Sequence, residues 1–281
     1  MILTVGTVPI PSAPILSSVN DGMAINEMPI IVGGFYRSGT SLTRRLLDSH
    51  SRIHCGPEVK FFKDLRGDYQ DDPLGHVRLF STLPSLGLEP DEIRDIFSGA
   101  FIEAHELAAR KAGKARWADK NPENVLYLEQ WQHLLPGGFA FIHVVRHPLD
   151  VLASLLEIGF PKAVPATFEE KVKLLRTFVD EGSRYEKLYP GTSFRVRYEE
   201  LVTAPTATLE SLFNWLGEDF EPQVLDKFSH VDRGRGIEDP KVSTSDTVYD
   251  RSVGRWRTDL TSKQIEIALA VLGASFSGYL I

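Results

Sequence analysis

PIIVGGFYRSGTSLTRRLL, residues 29–47, is the stretch that decides the fold. Ile30, Ile31 and Val32 form an apolar run that stops at Gly33-Gly34, as a strand covered on both faces does. Leu42, Leu46 and Leu47 then recur at helical spacing. Between strand and helix lies Gly34-Phe35-Tyr36-Arg37-Ser38-Gly39-Thr40-Ser41. This is nearly the G-x-x-x-x-G-K-[ST] phosphate loop, with Thr40 where the lysine belongs. The mechanics of that loop survive the exchange. Successive backbone N–H groups of a glycine turn face one concavity at a helix N-terminus, where an anion is favoured. Thr40 and Ser41 add hydroxyl donors, and Arg37 adds a planar charge. The absent lysine is the one that reaches the β- and γ-phosphates in ATPases, so the loop reads as anion-binding with less support for a triphosphate. A glycine-rich turn without a ligand is the plain alternative. Against it, Arg37, Ser38, Gly39, Thr40 and Ser41 converge on one helix start.

Outward from this loop, strand-like and helix-like patterns alternate. Further strands are expected at 115–119, 139–146 and 193–198. Asn121 and Pro122 resemble the cap and first residue of a helix with Val125, Leu128, Trp131 and Leu135 on one face. Pro148 opens a helix carrying Val151, Leu152, Leu155 and Leu156. Phe168, Val172, Leu175 and Val179 mark a long amphipathic helix, and Leu209, Leu212, Phe213 and Leu216 another, stopped at Gly217. Thr261 and Gln264 form a capping box for the last helix. Four strand–helix alternations predict an α/β fold, a P-loop-type parallel sheet flanked by helices, as a single domain over 29–281. Residues 1–28, interrupted by Pro9, Pro11 and Pro14, read as an extended arm. The aperiodic, charged stretch 230–255 reads as a long functional loop. In such folds ligands bind beyond the carboxyl ends of the strands.

Composition narrows the function classes. The 281 residues carry 31 Lys and Arg against 38 Asp and Glu, a net charge of −7. Bulk charge therefore gives no affinity for nucleic acid, and any anion must be met by a local cluster. No apolar run reaches the length of a membrane span, and the N-terminus lacks the basic start of a signal peptide. The single cysteine, Cys55, makes no internal disulfide, which fits a reducing, cytoplasmic setting. No Cys, His, Asp or Glu spacing gives a closed metal site. The composition carries no signal for oligomeric state.

A second anion site is expected at the end of the 139–146 strand. Arg146 stands at its carboxyl end, and Ser154 lies in the second turn of the helix begun by Pro148. The plain alternative pairs Arg146 with Asp150 and leaves Ser154 facing solvent. Two separate anion clamps at one sheet edge suit a nucleotide bearing phosphates on both its 3′ and 5′ sides.

With both motifs in view, the chain resembles the sulfotransferases that use 3′-phosphoadenosine 5′-phosphosulfate (PAPS), in the style of their bacterial and tyrosylprotein branch. RSGTSLTRRLLDSH (37–50) resembles their 5′-phosphosulfate loop, and VVRHPLDVLASLL (144–156) their 3′-phosphate motif. YEELVTAPTATLESLFNWLG (198–217) and VGRWRTDLT (253–261) resemble later segments of the same family, so the likeness runs from about 29 to 272. It departs from the cytosolic branch at Arg251-Ser252-Val253-Gly254, where that branch has an arginine-lysine-glycine triplet.

The resemblance implies sulfuryl transfer from PAPS to a hydroxyl acceptor, with PAP as product and no metal. It implies Glu58, after Cys55-Gly56-Pro57, as general base, and Lys120 at the transferring group. It implies Tyr198 and Arg255 as donor contacts, beside the loop residues, Arg146 and Ser154. Arg37 is a second candidate to stabilise the leaving oxygen. The plain alternatives are a solvated Lys120 paired with Asp119 and a surface carboxylate at Glu58. Lys60 either orients Glu58 or touches the acceptor. His50, His54, His143 and His147 are the candidates for a histidine base, His143 reading as a core residue. Phe61, Phe62, Tyr69, Phe80 and Phe97 within 60–113 are expected acceptor walls, and a small alcohol, phenol, sugar or lipid headgroup is the expected acceptor. A P-loop nucleotide kinase and a non-catalytic nucleotide-binding protein on the same fold are the competing readings.

Overall fold

The structure, a computed structural model, describes residues 23–62, 82–158, 164–228 and 247–280. Its centre is a five-stranded parallel sheet of strand order β2-β3-β1-β4-β5. The strands are β1 (Ile30–Gly34), β2 (Ile53–Cys55), β3 (Arg116–Lys120), β4 (Ala140–Val145) and β5 (Ser193–Arg197). β1 lies between β3 and β4, with Val32 beside Lys120 and Gly34 beside Val144. The chain crosses from one side of β1 to the other between β3 and β4, which makes the carboxyl end of β1 the switch point where such sheets bind ligands.

Side chains alternate across each strand, so the sheet feeds two cores. Ile31, Phe141 and Val145 pack on one face under α3 (Leu128–Leu134) and α5 (Phe168–Leu188). Ile30, Val32, Ile142 and Val144 pack on the other under α1 (Thr40–Ser49) and α7 (Pro205–Leu216). The remaining major helices are α2 (Pro90–Lys111), α4 (Pro148–Ile158), α6 (Tyr198–Thr203) and α8 (Ser262–Leu272). Thr261 and Gln264 form the expected reciprocal cap of α8, and Gly217 ends α7 in the left-handed conformation.

Three features differ from the sequence reading. β2 is an additional edge strand, paired to β3. α2 is a 22-residue helix opened by a Glu89/Glu92 capping box. The single helix expected from Asn121 is a 3₁₀ turn, Pro122–Leu126, followed by α3. Asn121 makes no capping bond; its amide donates instead to Asp119 Oδ1 (2.8 Å) and to the Val59 carbonyl (3.1 Å). The arm expected over 1–28 lies outside the described residues up to 22. Just beyond, the buried Arg116 guanidinium ties Ile25 and Met28 to the sheet by donating to both carbonyls. Most of the 230–255 loop, and the expected acceptor walls Tyr69 and Phe80, also lie outside them.

Candidate active site

Close packing of backbone shapes the loop after β1. A Cβ on Gly34 would stand 2.2 Å from the Val144 carbonyl oxygen, so only glycine lets β1 lie so near β4 here. Gly39 has φ 101°, and a Cβ there would sit 2.6 Å from the Tyr198 ring. Arg37 is in the left-handed region at φ 66°, rare for a residue with a side chain. α1 begins at Thr40 with no side-chain cap and no acidic residue in its first turn. Its first N–H groups thus have no capping carboxylate or hydroxyl and face the loop concavity, which suits an incoming anion.

One corner of the site is built on β4 and α4. Arg146 donates to the Arg37 carbonyl (2.9 Å) and to the Ser252 carbonyl (2.6 Å). Its guanidinium lies 4.5 Å from the Tyr198 ring centroid. Arg37 Nε donates to Ser154 Oγ at 3.0 Å, and Ser154 is buried. Burial pushes the Arg146 guanidinium down from its ordinary value, against the opposing pull of Tyr198, Asp150 and Glu199. Arg146 Nε is buried and has no hydrogen-bond partner among the described residues. A buried donor in that state usually serves a ligand or water. The Arg146–Asp150 pair of the plain reading does not form. Asp150 instead accepts from the backbone N–H of Gly254 (2.7 Å) and of Trp256 (2.9 Å), strapping the C-terminal segment beside Arg146. Arg255 turns away from the loop, to Glu157 (2.7 Å) and Asp259 (2.6 Å).

The opposite corner is built on β3 and the segment after β2. Lys120 is fully buried and donates to Ser41 Oγ (3.3 Å) and to Glu58 Oε1. It does not pair with Asp119, whose Oδ1 accepts from Asn121 (2.8 Å) and Asn124 (2.9 Å). Glu58 is no surface carboxylate: its side chain is 7% exposed, and Lys60 Nζ lies 3.7 Å from its Oε2. Lys60 donates to both oxygens of Glu123 (2.8 and 3.1 Å), and the Tyr36 hydroxyl donates to Glu123 at 2.6 Å. Of the two cations expected to stabilise the leaving oxygen, Lys120 lies against Glu58, while the Arg37 side chain reaches toward Ser154. Phe61 stacks on Phe101 (4.2 Å between centroids) next to this corner, and Phe62 on Tyr127.

The histidines have structural partners. His143 Nδ1 is 2.9 Å from Glu186, His50 meets the Asp219 carbonyl, and His54 Nδ1 is 3.3 Å from Asp48. His147 stacks parallel to Trp256, and burial holds it below its ordinary value. Burial pushes the Cys55 thiol up to about 12, leaving it no thiolate at neutral pH. Among the described residues no cluster of three His, Cys, Asp or Glu could hold a metal ion, and no helix is long and apolar enough to cross a membrane.

The sulfotransferase family model matches residues 29–222, more than half of the chain and all the loop and corner elements above except the C-terminal strap. The chain belongs to the sulfotransferase family. A Caenorhabditis briggsae protein assigned by name to the protein-tyrosine sulfotransferases is 26% identical, over 88% of this chain and 89% of its own length. Protein-tyrosine sulfotransferase 2 of Gallus gallus is 27% identical over 78% of this chain, which spans 59% of that protein. The sulfotransferase domain of the Synechococcus PCC 7002 olefin synthase shares the fold, with TM-score 0.55 and 23% identity over 86% of this chain and 93% of that one.

In this sulfotransferase Arg37, Ser38, Gly39, Thr40, Ser41, Arg146, Ser154 and Tyr198 come together at the carboxyl end of β1 and β4. Lys120 and Glu58 meet at the carboxyl end of β3, and Arg255 stands apart. Sequence reasoning missed Glu123 and Tyr36. The signal present was position: Glu123 opens the first turn after β3, and Tyr36 lies inside the loop.

Proposed function

We propose that this enzyme transfers the sulfuryl group of PAPS to an acceptor hydroxyl, with Glu58 as general base. One observation carries the reading: two buried cationic corners, Arg146 beside the Arg37–Ser154 pair and Lys120 with Glu58, flank one uncapped helix N-terminus. PAPS has a 3′-phosphate on one side and a 5′-phosphosulfate on the other. The Arg146 corner, with its unpartnered Nε, suits the 3′-phosphate. The N–H groups and hydroxyls of 38–41 suit the 5′-phosphosulfate. Tyr198 packs against both Gly39 and Arg146 and keeps the two subsites at a fixed separation.

The acceptor oxygen attacks sulfur in line with the bond that breaks. As the new S–O bond forms, the acceptor proton passes to Glu58, and the bond from sulfur to the 5′-phosphate oxygen breaks. The electron pair stays on that oxygen, and PAP leaves. Lys120, held between Ser41 and Glu58, stabilises the charge that develops there. These cations supply the role that a divalent ion plays in phosphoryl transfer, so we propose turnover without a metal. The acceptor is a small alcohol, phenol, sugar or lipid headgroup, and the Phe61 side of the site supports an apolar carrier. A phenol has the added support of two relatives named for protein tyrosine.

The test is PAPS consumption against a panel of such acceptors in the presence of EDTA, with wild type and Glu58→Gln. A positioned base contributes about 10²–10⁴-fold, so kcat falls by that factor in the variant while PAP affinity holds. Near-normal turnover of Glu58→Gln with the same acceptor overturns the base assignment. Activity that requires Mg²⁺ and ATP overturns the donor.

A further inference from the structure

We infer that Glu123, gripped by Tyr36, is a positioning residue that holds Lys60 against Glu58 and so sets the charge around the base. The inference rests on Glu58 being that base, and it assigns a task to a carboxylate that the transfer itself leaves unused. Glu123 is buried on the 3₁₀ turn immediately after β3. The same strand end therefore delivers Lys120 to one oxygen of Glu58 and, through Glu123, Lys60 to the other. Distances rank the two contacts of Lys60. Its Nζ lies 2.8 and 3.1 Å from the oxygens of Glu123 and 3.7 Å from Glu58 Oε2. Glu123 fixes the ammonium, and Glu58 feels its charge at one remove.

Glu123 is poorly placed to take the acceptor proton, since both its oxygens already accept from Lys60 and one also from Tyr36. Burial acts to raise its pKa, but the Lys60 charge and the bonds from Lys60 and Tyr36 outweigh it and bring the group below the usual carboxylate range. A carboxylate so stabilised is a poor base and a durable anion. Burial and the Glu123 charge raise the Tyr36 hydroxyl far above its ordinary value, so it stays a donor. Among the described residues, Glu58 meets Lys120 from β3 and Lys60 from its own segment, with Glu123 from the turn after β3 and Tyr36 from the loop before α1 joined to it through Lys60. The two lysines and two carboxylates balance. Removing either Lys60 or Glu123 unbalances the set, and the two removals act on Glu58 with opposite sign. Without Lys60, a second buried anion opposes ionisation of Glu58. Without the Glu123 charge, Lys60 turns its full charge on Glu58, which becomes a weaker base.

The test needs no acceptor. Full-length protein labelled with [5-¹³C]glutamate is titrated by NMR, the Glu58 signal being identified by its loss in Glu58→Gln. Lys60→Met is expected to move the Glu58 midpoint up, and Glu123→Gln to move it down, each by about one pH unit. A purely structural role for Glu123 would leave the midpoint where it is. A midpoint unmoved in both variants, or moved the same way in both, overturns the inference. If Glu123→Gln fails to fold, Lys60→Met decides alone: an upward shift supports the inference, and none overturns it. The base assignment fails separately, through retained turnover in Glu58→Gln.

Discussion

At Arg37 the chain accepts a left-handed backbone, and at Gly39 it needs one. Arg146 holds the Arg37 carbonyl and Ser154 its side chain, which offsets a conformation costing on the order of 1–2 kcal/mol. Gly39 has no such latitude, because the Tyr198 ring fills the space of a Cβ. Gly39→Ala is therefore expected to lower stability by roughly 1–3 kcal/mol in urea melts and to weaken PAP binding at least about tenfold. Gly113→Ala is the control: its φ is 69° but its Cβ would meet open space. It should pay only the backbone cost and leave PAP affinity untouched. At this scale the placement of Arg37, Arg146, Ser154 and Lys120 at the sheet edge was legible, because each stands at or after a strand end or in the second turn of the next helix. Glu123 was not. An acid in the first turn after Asn121-Pro122 is what an ordinary helix start contains, and nothing in its neighbours shows that Tyr36 and Lys60 converge on it.

Among the elements, the strap from Ser252 to Trp256 is held to α4 by Asp150 and by the Arg255–Glu157 ion pair. Asp150 accepts from two backbone N–H groups on it, and Arg146 reaches the Ser252 carbonyl. Asp150→Ala leaves both amides without their carboxylate. Charge-assisted bonds are worth about 1.5–3 kcal/mol, so hydrogen exchange at Gly254 and Trp256 should quicken by roughly 10–150-fold while that of β1 and β4 does not change. Unchanged exchange at those two amides would show that Asp150 is not the tie. β1 and β4 were legible because buried parallel strands are continuously apolar. β2 was not, since Ile53–Cys55 is too short to show a period and gains its pairing only once β3 lies beside it. The helix expected from Asn121 breaks into two for a similar reason: the Asn121 amide is drawn to Asp119 and Val59, contacts that exist only in the folded chain.

Over the whole molecule, a half-buried carboxylate links the sheet to its covering helix and makes stability depend on acid. Glu186 on α5 meets His143 on β4 and Arg195 on β5. Burial works to raise its pKa, but the bonds from His143 and Arg195 lower it to about 2. A depressed carboxylate contributes its stability above the unfolded value, near 4.5, and loses it as pH falls toward 2. Wild type should exceed Glu186→Gln by up to about 3 kcal/mol near neutrality, and the gap should close between roughly pH 4.5 and 2 in thermal melts. A gap that does not change with pH would contradict the ion pairing. The sheet and its two cores meet at the carboxyl edge of β1, where the proposed nucleotide site rests on a 3′-phosphate held by Arg146. The direct measurement is calorimetric titration of PAP and of 5′-AMP, which lacks the 3′-phosphate, into wild type and Arg146→Ala. PAP should bind wild type more tightly than 5′-AMP, and Arg146→Ala should lose about 10–150-fold for PAP but little for 5′-AMP. Equal affinity of wild type for the two nucleotides, or unchanged PAP affinity in Arg146→Ala, would contradict it.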